Sequence, residues 1–444
     1  MTNHAHPSRQ LALTAFFYHK FRESSLFSNA FFLMLNNVTT SLLGFVFWNI
    51  MARVFSPEQV GIGSALVAAS GLIAVLSNMG LGVGLIRFIP EVKDRVERLI
   101  NSSFTLSGGL AVVGSLIYLG GIRYWSPVLG FVAEDLCFLP LFVVFTVVTA
   151  LSVLTDQSLV AGRSARYVFF KNTFNSLVKL PMPILFFAYM GGFGIFAATG
   201  VGFLLANLLS WFFYLPSVYK GYLPRPAYES DLVRRMLPYS FANYLANLLN
   251  GAPNFIYPLM VINLLGPEKN AYFYIAWMMT MVLSVIPNGL AQSLLAEGVY
   301  DQRKLAQNGR RALAFSLVLS LPAVGAMFLL GGWLLHFFGT GYAENGTGLM
   351  QYLALAVFPQ CVNVLYITVN QVKKRVYLII AQTAVLAVIS LGLGYWLLGR
   401  VGLNGIGIAY ALAHLVVAAG VVLPLWRALR EGKVETLKNS KYMM

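Results

Sequence analysis

The stretch of residues 376–398, VYLIIAQTAVLAVISLGLGYWLL, indicates the fold class of this chain most directly. Its 23 residues include no Asp, Glu, Lys or Arg, and the basic run Lys373-Lys374-Arg375 precedes it. A helix of this length crosses the ~30 Å hydrocarbon core of a bilayer. The stretch therefore predicts a transmembrane helix.

Similar apolar stretches recur along the 444 residues, of which 58% are hydrophobic and only 11% charged. A soluble domain of this size needs far more charge on its surface, so the apolar excess must face lipid. We predict an all-α membrane protein of about twelve transmembrane helices, at residues 28–52, 58–82, 98–120, 135–160, 167–189, 192–216, 236–263, 271–295, 311–331, 348–371, 376–398 and 403–426.

The net charge of +15 is distributed in a way that orients these helices. Of the 31 Lys and Arg residues, 26 fall on the side of the two termini, four fall on the other side, and Lys179 lies inside a span. The positive-inside rule then places both termini in the cytoplasm of a multi-pass inner-membrane protein. A nucleic-acid partner is not expected, because no basic stripe with interleaved aromatic residues occurs.

The sequence contains no pattern typical of a catalytic site or a metal site. The two cysteines, Cys137 and Cys361, lie in separate spans, and the five histidines are scattered, so we expect no disulfide, no metal and no cofactor. The outer loops are short and offer few acidic or histidine groups, so no catalytic residue is predicted. The N-terminus, residues 1–27, is predicted to be a cytoplasmic amphipathic segment.

The second half of the chain repeats the first at an offset of about 210 residues. Ser56-Pro57-Glu58 is echoed by Gly266-Pro267-Glu268, and Gly194-Ile195 by Gly405-Ile406. With six spans in each half, the two halves share one orientation. We predict two six-helix lobes around a central cavity, and two such lobes could rock against each other as in a transporter. The predicted segments are 28–216 (N-terminal lobe), 217–235 (cytoplasmic linker), 236–426 (C-terminal lobe) and 427–444 (basic cytoplasmic tail).

Polar side chains recur on one face of the seventh predicted span, at Asn243, Asn247, Asn250 and Asn254. Asn36 lies in the first span, its repeat partner. The simple interpretation is hydrogen bonding between helices, which membrane bundles use routinely. The length of the ladder favours a hydrated cavity suited to sugar hydroxyls, with these side chains as candidate substrate ligands.

The fifth predicted span holds Asn172, Asn175 and Lys179 on one face. Lys179 lies ~18 Å from the cytoplasmic end of the span at 1.5 Å per residue, where an unpaired ammonium is costly. One interpretation is a structural ion pair with Asp156, which is also a candidate coupling residue. The other is a cationic site for an anionic substrate.

Two arginines mark the ends of the first two spans. Arg87 lies where the second span meets the cytoplasm, as a candidate phosphate ligand or as a side chain that snorkels to lipid headgroups. Arg53 lies at the outer end of the first span, as a candidate gate or interface residue.

The segment Ala52-Arg53-Val54-Phe55-Ser56-Pro57-Glu58-Gln59-Val60-Gly61, with Gly80-Leu81-Gly82 and Arg87-Phe88-Ile89-Pro90, resembles a known signature. It is similar to the first-to-second helix region of the polysaccharide transporter branch, the O-antigen-type flippases, of the multidrug/oligosaccharidyl-lipid/polysaccharide (MOP) flippase superfamily. The resemblance implies a MATE-like fold. It also implies that the protein flips a polyprenyl-(pyro)phosphate-linked oligosaccharide to the outer leaflet by alternating access, with Lys179 and Arg87 as phosphate ligands.

Two alternatives stay open. A cation-coupled multidrug exporter of the same superfamily needs buried carboxylates, and among these spans Asp156 is the candidate. A membrane glycan polymerase or ligase is opposed by the short outer loops and the duplication. The expected partners are the lipid-linked substrate, membrane lipids and glycan assembly enzymes, and the expected functional unit is a monomer.

Overall fold

The computed structural model describes residues 25–92, 95–300 and 304–441. Within them, the structure describes only the backbone of residues 25–27, 186–189, 239, 242, 299–300 and 430–441. No β-strand occurs in these three ranges, so the all-α prediction is confirmed. The predicted amphipathic segment, residues 1–27, falls outside the described part of the chain except for its last three residues.

The N-terminal lobe contains seven principal helices. They are α1 (Ser25–Val54), α2 (Pro57–Asn78), α3 (Leu81–Phe88), α4 (Val96–Gly120), α5 (Phe138–Ala161), α6 (Ala165–Lys179) and α7 (Met182–Leu209). α2 and α3 together form the second span, and the Ser56 side chain caps the amino end of α2. A π-helical turn, Ser210–Tyr214, and a short helix, Leu215–Val218, extend α7 toward the linker.

The C-terminal lobe contains eight principal helices. They are α8 (Ser230–Leu265), α9 (Pro267–Met281), α10 (Val285–Tyr300), α11 (Leu305–His336), α12 (Thr340–Leu355), α13 (Val357–Val372), α14 (Val376–Val401) and α15 (Asn404–Lys441). α9 and α10 form one span, and α12 and α13 form another that is bent by 42°.

Within the described ranges, ten helices are long and apolar enough to cross a membrane, and the bent pair makes eleven. The fifth predicted span is not among them. Its helix α6 has only 15 residues, and it carries two lysines and two asparagines. Charge and amide groups lower its hydropathy, so its place in the bundle depends on what its polar side chains contact.

The backbone repeats the duplication seen in the sequence. α2 and α9 both begin at a proline, at positions 57 and 267. The left-handed residue before α6, Arg163 (φ 53°), has its counterpart in Lys374 (φ 56°) before α14. Gly191 (φ 50°), within α7, corresponds to Gly402 (φ 69°), before α15. Positive φ is rare outside glycine, so matching breaks at a constant offset confirm two pseudo-symmetric lobes.

The two ends of the bundle differ in how the lobes meet. We call the end that carries residues 219–229 the linker side and the opposite end, with residues 337–339, the far side. On the far side one hydrophobic core joins both lobes, with Phe47, Trp48 and Met51 of α1 packed among Tyr272 and Phe338. On the linker side one apolar cluster is centred on α3–α5 and includes Leu232 and Met236 at the start of α8. A second cluster there is confined to the C-terminal lobe.

Polar contacts also connect the two lobes on the far side, and we call this interlobe contact the far-side joint. Arg53 Nε and Asn49 Nδ2 both donate to the carbonyl oxygen of Phe337, each at 2.9 Å. α2 and α9 cross so closely that a Cβ added at Gly61 would overlap the carbonyl oxygen of Pro267. The bundle is therefore held shut on the far side.

Candidate functional site

A cavity of about 900 Å³ lies within the C-terminal lobe, between α8, α9, α10, α13, α14 and α15. Its wall reaches Ala296, one turn from the end of α10, and Gln371, next to the turn that follows α13. Both of these residues are exposed. Its inner end is at Trp277 and Tyr410, both of which belong to the far-side core. The cavity therefore opens toward the linker side and is closed toward the far side.

Amide side chains dominate the polar part of the cavity wall. The nine Asn and Gln residues are Asn247, Asn250, Asn254, Asn288, Gln292, Gln360, Asn363, Gln371 and Gln382. Hydroxyl groups of Ser284, Thr368, Thr383 and Tyr410 add to them, and His414 is the one titratable nitrogen base of the described wall. Each amide both donates and accepts hydrogen bonds, as hydroxyl-rich ligands require.

Three members of the predicted asparagine ladder, Asn247, Asn250 and Asn254, lie in this wall and are exposed. Asn254 Oδ1 also accepts a hydrogen bond from Trp277 Nε1 at 3.1 Å. Asn243, one turn nearer the linker side, is half-buried and does not line the cavity. The periodicity of α8 thus places most of the ladder on one accessible face.

The deepest polar contacts of the cavity join three helices. Asn363 of α13 donates to the backbone carbonyl of His414 at 2.9 Å, and its Nδ2 lies 3.2 Å from His414 Nδ1. Gln382 of α14 donates to the carbonyl oxygen and the side-chain oxygen of Asn363. His414 Nε2 is buried without a partner among the described residues. This end of the wall is fixed by interhelical hydrogen bonds.

The N-terminal lobe holds a charged cluster. Lys171 Nζ, fully buried, lies 2.6 Å from Asp156 Oδ1 and 2.9 Å from the carbonyl oxygen of Ser152. Asn172 Nδ2 lies 3.2 Å from both Asp156 Oδ2 and Asn36 Oδ1. The structural interpretation that pairs Asp156 with Lys179 is not seen, because Lys171, also on α6, takes the carboxylate.

Lys179 lies two turns farther along α6 and is half-buried. Its Nζ is 4.7 Å from the centre of the Phe47 ring, and it forms no ion pair with a described acidic residue. Asn175, buried on the same face, has an unpaired Oδ1. Lys179 and Asn36 do not line the large cavity, whose described wall comes entirely from the C-terminal lobe. The expected position of the ladder opposite Asn36 across one shared cavity is therefore not seen.

The duplication relates these two sites to each other. At an offset of 211, Lys171 corresponds to Gln382 and Ser152 to Asn363, and each pair shares a hydrogen bond from the side-chain nitrogen to the carbonyl oxygen. Asp156 corresponds to the uncharged Ile367. The same interhelical contact is therefore ionic in one lobe and neutral in the other.

A second equivalence involves Lys179. Its counterpart, Ser390, accepts a hydrogen bond from Tyr257 at its carbonyl oxygen, at 2.9 Å. Tyr257 is the counterpart of Phe47 at the offset of 210 that also relates Pro57 to Pro267. In the N-terminal lobe this contact places the Lys179 ammonium over the Phe47 ring. In the C-terminal lobe the hydroxyl groups of Tyr257 and Ser390 lie 2.6 Å apart.

The two predicted arginines lie on opposite sides. Arg87, exposed near the end of α3 on the linker side, forms an ion pair with Glu91 at 3.2 Å. Arg53 lies in the far-side joint, with its guanidinium on backbone carbonyls of the other lobe. In the described ranges no cluster of three or more His, Cys, Asp or Glu residues could hold a metal.

Several residues of these sites were not singled out from the sequence. Lys171 is the main one, and the repeat offered a signal, because its counterpart Gln382 lies well inside the apolar span 376–398. Gln292 and Gln371 lie toward the linker-side ends of α10 and α13, where polar residues usually indicate an approaching loop. Only the packing of those helices shows that they line a cavity.

Comparison with known proteins gives a consistent result. The family model described as "Polysaccharide biosynthesis protein" matches residues 26–295. No curated protein matches the chain in sequence.

Solved structures share the fold over nearly the whole chain. The inward-facing conformation of a multidrug resistance MATE family transporter of the MOP superfamily is 17% identical, with a TM-score of 0.69 over 90% of this chain and 95% of that one. The outward-facing conformation of such a transporter gives a TM-score of 0.63 at 15% identity, over 92% of this chain and 96% of that one.

A MOP superfamily transporter from Pyrococcus furiosus, described as having a binding pocket of reverse polarity, gives a TM-score of 0.63 at 15% identity over the same shares of the two chains. The chain belongs to the polysaccharide biosynthesis protein family and has the two-lobed fold of the MOP superfamily transporters.

Proposed function

We propose that this protein carries a polyprenyl-(pyro)phosphate-linked oligosaccharide from the cytoplasmic to the outer leaflet of the inner membrane by alternating access. The observation that carries the proposal is the large, amide-lined cavity, open on one side of the bundle and closed on the other. The amide and hydroxyl groups of the cavity wall can form hydrogen bonds with sugar hydroxyls, and the cavity is large enough to hold several sugar units at once.

The linker side is the cytoplasmic side in this proposal, because it holds most of the Lys and Arg residues. The present state then receives substrate from the cytoplasm. Arg87 meets the phosphates at the entrance, and Lys179, which no described acidic side chain neutralises, supplies countercharge at mid-depth. Closure of the linker side and opening of the far-side joint release the glycan outside.

A multidrug exporter is the second candidate, since MATE transporters share the fold. An organic cation requires an accessible, uncompensated carboxylate. Asp156 is held by Lys171 and Asn172, and no Asp or Glu occurs in the described cavity wall. These contacts favour the oligosaccharide substrate.

Reconstitution into liposomes tests the two functions side by side. A polyprenyl-pyrophosphate-linked oligosaccharide with a fluorophore on its glycan should become accessible to an impermeant quencher faster than in protein-free liposomes. Ethidium should show no protein-dependent movement under an imposed proton or sodium gradient. Ethidium transport without movement of the lipid-linked glycan would overturn the proposal in favour of drug export.

A further inference from the structure

The described wall of the large cavity is devoid of formal charge. Its 25 residues include nine amides and four hydroxyl side chains, and none is Asp, Glu, Lys or Arg. Six of the amides are exposed to the cavity or its mouth, namely Asn247, Asn250, Asn254, Asn288, Gln292 and Gln371. A ligand bound there meets dipoles and no countercharge.

The duplication makes this neutrality informative. The N-terminal lobe holds Lys171 and Asp156 on its fifth and fourth spans, whereas the C-terminal lobe has Gln382 and Ile367 at the corresponding positions. Both of those residues line the cavity. The fold therefore accommodates charged side chains at these two positions. The C-terminal lobe, which contains the cavity, has uncharged residues at both of them.

Charge-free walls discriminate against ionised ligands. A hydroxyl exchanges its hydrogen bonds with water for equivalent bonds to amides. A carboxylate or phosphate that leaves water for this cavity finds no cation within the wall, and its desolvation is not repaid. Selectivity against an anionic sugar follows from the wall itself.

We infer that the glycan taken up by the C-terminal lobe is an uncharged oligosaccharide, and that sugars bearing carboxylate or phosphate groups are rejected. This rests on the proposed function and specifies its substrate class. The negative charge of the pyrophosphate stays outside the C-terminal lobe, while the amides of α8, α10 and α13 bind the sugar hydroxyls.

Two fluorescent polyprenyl-pyrophosphate tetrasaccharides test the inference in liposomes. One contains only neutral hexoses, and the other differs by a single hexuronic acid in place of a hexose. We expect the neutral compound to move about ten-fold faster or more. Equal rates, or faster movement of the acidic compound, would overturn this inference and leave the proposed function standing. Movement of neither would overturn both.

A charge added to the wall provides the second arm. Gln292→Lys places an ammonium on the exposed face of α10, and it should raise the rate of the acidic compound relative to the neutral one at least several-fold. Ser217→Lys adds the same charge on the linker side but outside the cavity, and it should leave the ratio unchanged. An unchanged ratio in the Gln292→Lys protein, with transport of the neutral compound retained, would contradict the inference.

Discussion

Lys171 Nζ lies 2.6 Å from Asp156 Oδ1 inside the N-terminal lobe, and the lysine side chain is fully buried. The pair links α5 to α6, and Asn172 extends it to Asn36 on α1. A buried ammonium needs such a partner, because desolvation strongly disfavours an isolated charge. The short, polar helix α6 thus adds an ion pair to its packing against α1, α5 and α7.

Removing the lysine should therefore destabilise the protein, and removing both charges should restore most of the loss. Lys171→Met leaves Asp156 unpaired, and breaking a buried pair typically costs about 3–5 kcal/mol. We expect a markedly lower midpoint of thermal unfolding for detergent-solubilised Lys171→Met protein. Lys171→Met/Asp156→Asn should unfold close to the wild-type temperature, since no charge is left alone.

Lys220→Met is the matched control, because Lys220 is exposed on the linker side. Its midpoint of unfolding should not change. If the double variant were as unstable as Lys171→Met, the unpaired charge of Asp156 would not be the cause of the lost stability.

The joint between α2 and α9 gives a prediction about backbone contact. A Cβ at Gly61 would overlap the Pro267 carbonyl, whereas a Cβ at Gly109 of α4 meets no atom within 4 Å. Gly61→Ala must push the lobes apart on the far side and should lower thermal stability or open that side. Gly109→Ala should be neutral or slightly stabilising, because alanine favours the helix by up to about 1 kcal/mol. Equal thermal stability and far-side accessibility of the two variants would contradict the close crossing.

The apolar periodicity of the sequence was sufficient to predict most of the architecture. Long uncharged spans such as 376–398 leave no alternative to a membrane helix, and eleven of the twelve predicted spans fall on helices or helix pairs that are long and apolar enough to cross a membrane. The fifth falls on α6 and the start of α7. The duplication was visible in the motifs around Pro57 and Pro267. These features depend on local composition and order, which sequence alone supplies.

The partners of polar groups could not be predicted in the same way. Lys171 and Lys179 lie on α6 two turns apart, and either could reach toward α5. The packing of α5 against α6 decides that Asp156 receives Lys171. Likewise, three asparagines of α8 border a cavity while Asn243 does not. Such outcomes depend on tertiary contacts.

The far-side joint should respond to loss of its interlobe hydrogen bonds. In a protein with Cys137 and Cys361 replaced by serine, Asn254→Cys should react with an impermeant thiol reagent from the linker side only. Adding Arg53→Ala and Asn49→Ala removes both donors to the Phe337 carbonyl. Labelling from the far side should then rise several-fold, because the closed population loses interactions that the open one lacks.

Arg123→Ala is the control for this measurement. Arg123 is also exposed on the far side, but its ion pair with Glu134, at 3.0 Å, stays within the N-terminal lobe. It should leave far-side labelling of Asn254→Cys unchanged. Equal effects of the two sets of variants would indicate a general loosening rather than release of the joint.

Orientation can be measured independently of transport. Tyr228→Cys places an exposed thiol in the 219–229 loop, and Glu344→Cys places one near the start of α12 on the far side. With the linker side in the cytoplasm, an impermeant reagent should label Glu344→Cys in spheroplasts and reach Tyr228→Cys only after permeabilisation. The reverse pattern would invert the proposed direction of transport.

Lys179 provides the test of charge within the transport path. Its ammonium lies over Phe47, whereas the equivalent pair in the other lobe is Ser390 with Tyr257. The repeat thus supplies a neutral contact that this fold already accepts. Lys179→Ser/Phe47→Tyr copies it, so the double variant should reach normal membrane abundance and unfold near the wild-type temperature.

If Lys179 supplies countercharge to the pyrophosphate, that same double variant should lose nearly all transport of the lipid-linked glycan, and Lys179→Arg should keep part of it. A purely structural lysine predicts the opposite, because the substituted contact preserves packing while the charge is gone. Asp156→Asn should not rescue the double variant, since the carboxylate belongs to Lys171. Normal transport by a well-folded Lys179→Ser/Phe47→Tyr protein would show that the phosphates cross without this ammonium.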